Sequence, residues 1–242
     1  MIEEKDVDKK VKLYELIEKG YQENEKAVKI PQGKDILIKY CHSYYNGQGI
    51  KQIDQEIFDR FFLYYLPKIR LNLSKDKVRH MLKDIANVLE LIEKNYPCNL
   101  TQMYKNSYKS YADDTLRIID LRKQLMKNTN TPIISWDPLI IDFAYYTQNN
   151  KTKKWIPRKE IYEQGYYELI DRFANEYFIF KKPYAPSGVK IRLEKDTAKL
   201  LKQNDVLHMR IKRKTFTTTW EIIELKGCYL SQVDKYIKNT NG

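Results

Sequence analysis

The segment Val206-Leu207-His208-Met209-Arg210-Ile211-Lys212-Arg213-Lys214 decides the fold of the second half of this chain. Apolar residues alternate with basic ones over most of its length, and successive side chains of a β-strand point to opposite faces. The pattern therefore predicts a strand over 206–214 with one apolar and one basic face. A shorter segment over 189–193 alternates in the same way. The basic faces of the two strands consist of Lys190, Arg192, His208, Arg210, Lys212 and Lys214.

Most of the excess positive charge lies at this end of the chain. Residues 181–242 contain 14 Lys and Arg against 6 Asp and Glu, and the whole chain has a net charge of +12. Cations on a rigid surface attract polyanions, and aromatic rings beside them stack on unpaired bases. The six basic residues are therefore the predicted nucleic-acid-binding site. Candidate stacking rings are Tyr177, Phe216, Trp220 and Tyr229.

The composition offers another origin for part of this charge. The chain is rich in Lys, Ile, Asn and Tyr, with 20 Tyr residues, and all four residue types have AT-rich codons. A low-GC bacterium, or a phage of such a host, would encode a basic protein without selection for binding. The clustering of the cations therefore carries more weight than their total.

Four further strands surround the 206–214 segment, over 166–172, 176–182, 189–193 and 217–225, with a short helix over 196–203. Five strands and one short helix indicate a small antiparallel β-barrel-like module of OB or SH3-like type. An alternative makes 162–180 a single helix, because Tyr166, Leu169 and Phe173 also fit a helical period. We favour the hairpin.

The first part of the chain follows a helical period. The clearest helix begins after Ser74, a good N-cap, and repeats apolar residues every three or four positions up to Asn95. Other helices are predicted over 3–24, 35–45 and 101–126, with one that stops at Pro67 and one that begins near 136. The predicted class is α+β. It comprises a helical domain of five or six helices over 1–150, a connector over 151–165 and a basic β module over 166–242.

One enzymatic alternative rests on two carboxylates and a lysine. Asp205 precedes one predicted strand, and Glu224 and Lys226 lie on the next. This spacing resembles that of the PD-(D/E)xK nucleases, in which the carboxylates bind a divalent metal and the lysine stabilises charge. The residue before Asp205 is Asn204 rather than the proline of that motif, so the nuclease hypothesis ranks third.

Other features exclude several classes of protein. The three cysteines are far apart and form no CxxC pair, which predicts neither a disulfide framework nor a zinc site. No motif for a cofactor is present, so no cofactor is predicted. No apolar run approaches the roughly 20 residues of a membrane span, and the first residues are acidic. A cytoplasmic protein without a membrane partner is expected.

The leading hypothesis is a non-enzymatic binding or regulatory protein that contacts DNA or RNA through its basic β face. The alternative is a protein–protein interaction module, an inhibitor or adaptor that binds an acidic surface of a partner protein. The long helical region without catalytic motifs and the many Tyr residues favour that alternative. The oligomeric state stays open, because amphipathic helices bury their apolar faces either within or between subunits.

Overall fold

The computed structural model describes residues 12–23, 32–45, 53–69, 71, 73–96, 98–128, 160–173 and 176–237. The chain divides into two compact units, one formed by 1–120 with 229–242 and the other by 121–228. The predicted α+β class is confirmed. The helix predicted near 136 lies outside the described residues. The predicted boundaries between helical domain, connector and β module stay predictions.

The helical unit is built from amphipathic helices. Their bounds are α1 Leu13–Glu23, α2 Gln32–Tyr45, α3 Glu56–Arg60, α4 Leu66–Lys68, α5 Lys75–Asn95 and α6 Leu100–Asn128, whose last residues belong to the second unit. None of the helices in the described ranges is long and apolar enough to cross a membrane.

Helix α5 confirms the clearest sequence prediction. The Ser74 hydroxyl accepts a hydrogen bond from the backbone N–H of Lys77 at 3.4 Å, which satisfies one of the donors left free at a helix start. The predicted apolar positions are all buried: Val78, Met81, Leu82, Ile85, Val88, Leu89 and Ile92. The Tyr104 hydroxyl of α6 donates to the Leu82 carbonyl oxygen at 2.8 Å, so a buried polar group is satisfied where α6 meets α5.

An aromatic π-helical turn joins α3 to α4. It spans Phe61–Tyr65, and all five of its side chains are buried. A helix that is apolar all round must be enclosed on every side. The end of the chain supplies part of this enclosure, because Tyr229 stacks on Tyr64 with ring centroids 5.9 Å apart. Helix α4 ends at Lys68, one residue beyond the predicted stop at Pro67.

The second unit contains a closed five-stranded barrel. Its strands are β1 Glu160–Phe173, β2 Tyr177–Lys181, β3 Val189–Arg192, β4 Val206–Lys214 and β5 Thr219–Tyr229, and the last residue of β5 belongs to the helical unit. Their order around the barrel is β1-β2-β3-β5-β4, and β4 closes the ring on β1. A short helix, α7 Lys195–Leu200, connects β3 to β4. A 3₁₀ turn Ser231–Val233 and α8 Asp234–Ile237 follow β5 within the helical unit.

Strand β1 is shared between two neighbours. Its residues up to Glu168 pair with β4, and its residues from Glu168 onward pair with β2 after a register shift between Leu169 and Asp171. The β1–β2 hairpin confirms the favoured prediction, and the single-helix alternative for 162–180 is wrong. One pairing departs from the antiparallel arrangement expected, because β3 and β5 run parallel.

Candidate nucleic-acid interface

The six predicted basic residues lie on two strips of the barrel exterior. The burial of Leu207, Met209 and Ile211 in the interior confirms the side of β4 that the alternation predicts to be buried. However, β5 separates β3 from β4 in the strand order. The structure therefore brings Lys190 together with Arg192, and separately groups His208, Arg210, Lys212 and Lys214.

We call His208, Arg210, Lys212 and Lys214, together with the β1 residues that pair with them, the β4 strip. The register sets Tyr166 opposite His208, Tyr162 opposite Lys212 and Glu160 opposite Lys214. Side chains opposite each other on one sheet face interact directly.

His208 contributes an aromatic ring to the β4 strip rather than a charge. Its ring stacks on Tyr166, with centroids 4.1 Å apart and planes inclined by 23°. Burial, with a smaller contribution from Lys226, lowers the pKa of His208 to about 4. The imidazole is therefore neutral at pH 7.

The remaining cations of the β4 strip differ in how far they are neutralised. Lys212 forms a 3.3 Å ion pair with Glu160, and the Arg210 guanidinium lies 5.5 Å from the ring centroid of Tyr162. A hydrogen bond from Tyr162 and the ion pair with Lys212 lower the pKa of Glu160. Glu160 is therefore ionised at pH 7 and offsets one positive charge. Lys214 is exposed at the end of the strand.

We call Lys190 and Arg192, together with the neighbouring aromatic residues Phe173 and Tyr177, the β3 strip. The Lys190 ammonium lies 4.3 Å from the ring centroid of Tyr177 and 5.1 Å from that of Phe173. Phe173 is 62% exposed, although its ring is large and apolar. Arg192 binds Glu176 through two hydrogen bonds of 2.8 and 2.6 Å. The strip presents positive charge and aromatic surface within one small area.

The four candidate stacking rings differ in position and exposure. Tyr177 lies in the β3 strip, and Phe216 is fully exposed at the turn between β4 and β5. Trp220 is only 7% exposed, and Tyr229 is buried against Tyr64 in the helical unit.

Sequence reasoning missed Tyr162, Tyr166 and Phe173. A strand predicted to begin at 160 rather than 166 would have placed the two tyrosines on one face, but Gly165 interrupts the β-forming pattern there.

Asp205 has a structural role in a turn. Its carboxylate accepts a 2.7 Å hydrogen bond from the backbone N–H of Lys202, and the residue is 2% exposed. Asn204 beside it has a φ of 66°, a conformation that Asn tolerates better than most residues. In the ranges that the structure describes, no group of three or more His, Cys, Asp or Glu side chains is arranged to hold a metal ion. The nuclease hypothesis therefore rests on the spacing of Asp205, Glu224 and Lys226 alone.

Comparison of the chain with protein-family models, with curated proteins and with solved structures gives no match.

Proposed function

We propose that this protein binds nucleic acid without catalysing its cleavage, and that the β3 strip is the main contact surface. The observation that supports this most strongly is the position of Lys190 beside the rings of Phe173 and Tyr177. Single-stranded nucleic acid is bound by cations that contact phosphates and by rings that stack on bases. The β3 strip offers both.

The strand order supports the same surface independently. We infer that the barrel is of the OB type, because β1 pairs with both β2 and β4, β3 runs parallel to β5, and a helix lies between β3 and β4. Barrels of this type bind oligonucleotides on the face formed by their second and third strands. The β3 strip lies on that face.

The β4 strip has the weaker claim to contact phosphates. His208 is neutral at pH 7 and Lys212 is paired with Glu160, as Arg192 is paired with Glu176 in the β3 strip, so ion pairs reduce the net charge of both strips. The β4 strip ranks second because it lies outside the face formed by β2 and β3. Arg210 and Lys214 remain as a secondary electrostatic contribution.

Salt dependence of binding tests the proposal. The full-length protein is titrated into fluorescently labelled single-stranded and duplex DNA and RNA, and the anisotropy is followed across a salt series. A Lys190→Gln/Arg192→Gln variant removes two cations from the β3 strip. If both contact phosphates of a single strand, the slope of log K against log salt becomes shallower by about 1.4.

A matched control removes the same charge elsewhere on the barrel. Lys195 and Lys199 are exposed on α7, so a Lys195→Gln/Lys199→Gln variant is expected to keep the wild-type slope. Equal slopes for all three proteins would contradict the proposal. Absence of any binding, together with capture of a protein partner that survives nuclease treatment, would favour the protein–protein alternative.

A further inference from the structure

A cavity of about 550 Å³ lies at the surface of the barrel between two loops. One loop, 182–188, connects β2 to β3, and the other, 215–218, connects β4 to β5. Small-molecule sites have volumes of roughly 300–1,000 Å³. The cavity falls within this range and is large enough for a single nucleobase with its sugar.

Aromatic and charged side chains line the cavity. The Arg213 guanidinium lies 5.1 Å from the ring centroid of Trp220, and both residues contribute to the wall. Arg213 also donates hydrogen bonds from Nη1 to the carbonyl oxygens of Thr215 and Thr217, at 3.2 and 3.0 Å. The guanidinium therefore holds the 215–218 loop in place while it faces the cavity.

A second cation lines the cavity. Lys182 forms a 2.9 Å ion pair with Glu163, and the Tyr167 hydroxyl donates to the same carboxylate at 3.3 Å. All three side chains line the cavity. Charged and aromatic residues thus line one open cavity.

The loops on both sides of the cavity carry exposed aromatic side chains. Tyr184 is 94% exposed and Phe216 is 100% exposed, the two highest values for large hydrophobic residues in the described ranges. Each belongs to one of the two loops that border the cavity, although neither ring is among the side chains that line it. Large aromatic side chains that are exposed to solvent on both loops indicate a ligand that stacks on them.

The backbone at Tyr184 strengthens this inference. Its φ is 63°, it follows Pro183, and the turn is closed by a 3.1 Å hydrogen bond from the Ala185 N–H to the Lys182 carbonyl oxygen. Pro followed by a residue of positive φ is the pattern of a type II turn, in which Gly or Asn normally occupies the second position. A Tyr at this position is unfavourable for the turn and buries almost nothing, so its presence is better explained by function than by stability.

We propose that the cavity takes up one unpaired base of a single strand, and that Tyr184 and Phe216, on the adjoining loops, stack on the neighbouring bases. This proposal rests on the proposed function and specifies its substrate as single-stranded rather than duplex nucleic acid. Arg213 supplies positive charge near the adjoining phosphates, whereas the charge of Lys182 is offset by Glu163. Exposed rings beside cations also suit a membrane surface, but binding to lipid headgroups needs no cavity of this size.

The direct test uses Trp220 as a reporter. Replacing Trp136 and Trp155 with Phe in the full-length protein leaves Trp220 as the single tryptophan. Addition of an oligothymidylate is expected to quench its fluorescence, and a duplex of the same length is expected to quench it much less.

A Tyr184→Ser/Phe216→Ser variant tests the rings themselves. Base stacking predicts at least a tenfold loss of affinity for the oligothymidylate with an unchanged salt slope, because no charge is removed. The matched Tyr184→Phe/Phe216→Tyr variant keeps both rings and is expected to bind like the wild type. Both positions are solvent-exposed, so circular dichroism and the melting temperature are expected to stay unchanged.

The outcomes separate this inference from the proposed function. If the Ser variant keeps full affinity and the Lys190→Gln/Arg192→Gln variant loses it, the cavity proposal is wrong and the proposed function stands. If no oligonucleotide binds, both are wrong. Binding of phosphatidylserine vesicles that requires the two rings, without oligonucleotide quenching of Trp220, would identify a membrane surface and overturn the base-binding proposal.

Discussion

At the scale of single residues, the cations on the barrel surface work together with aromatic rings. Lys190 lies beside Phe173 and Tyr177, Arg210 beside Tyr162, and Arg213 beside Trp220. A cation near a ring face is attracted by the ring's negative quadrupole, at about 0.5–1 kcal/mol for exposed pairs. This weak attraction keeps each cation close to an aromatic surface and still leaves it able to reach a phosphate.

His208 makes the stability of the protein depend on pH. Its pKa is about 4 in the folded protein and about 6.5 in an unfolded chain, because folding buries the ring. The unfolded state therefore binds an additional proton as the pH falls below 6.5. The contribution of the neutral His208 ring to stability is fully present above pH 6.5. It decreases as the pH falls to about 4, and the free energy of unfolding drops by roughly 1–3 kcal/mol over this range after allowance for partial exposure.

Denaturant unfolding at pH 7.5 and pH 4.5 measures this effect. A His208→Phe variant keeps a ring to stack on Tyr166 but has no titrating group, so it is expected to lose less stability on acidification than the wild type. His80 is exposed on α5 and serves as the control in a His80→Gln variant. An identical pH dependence in wild type and His208→Phe would show that His208 does not carry the effect.

At the scale of secondary-structure elements, the N-cap of α5 governs the stability of a central helix. Ser74 satisfies the Lys77 N–H, and α5 contributes eight buried residues to the helical unit. Ser74→Ala is expected to lower the free energy of unfolding by about 1 kcal/mol, whereas Ser74→Asn keeps a capping oxygen and is expected to be nearly neutral. Urea unfolding measures the stability of both variants. An equal loss of stability in the two would show that the cap is not the cause.

Elements with a strong local pattern could be predicted from the sequence. Strand β4 was predicted at its observed bounds, and α5 was predicted with its cap and its buried face. Both signals arise from alternation or helical periodicity within a single segment. The start of β1 was missed because Gly165 breaks the pattern, although the missing side chain allows Lys182 to approach, with its Cε 3.1 Å from where a Cβ would lie.

Which strands become neighbours could not be predicted from local pattern. The six basic residues were expected to act as one surface, but the insertion of β5 between β3 and β4 divides them. Strand order depends on pairing between distant segments, which side-chain alternation does not encode. The cavity was missed for the same reason, since it requires the 182–188 and 215–218 loops to meet.

At the scale of the whole molecule, charge is distributed unevenly along the chain. Residues 181–242 carry an excess of 8 positive charges out of a net +12. A protein that is basic only because of codon usage would bind any polyanion with similar salt dependence. Specific use of the β3 strip and of the cavity instead predicts that heparin competes poorly with an oligothymidylate at equal charge concentration. Equal competition would support the compositional explanation.

The most direct test of the central claim is photo-cross-linking of the full-length protein to a single-stranded oligonucleotide that contains 5-bromodeoxyuridine, followed by peptide mapping. Binding by the β3 strip predicts cross-links at Phe173 or Tyr177, and their loss in the Lys190→Gln/Arg192→Gln variant at moderate salt. Cross-links confined to the helical unit, or unchanged in that variant, would contradict the assignment of the barrel face as the nucleic-acid-binding surface.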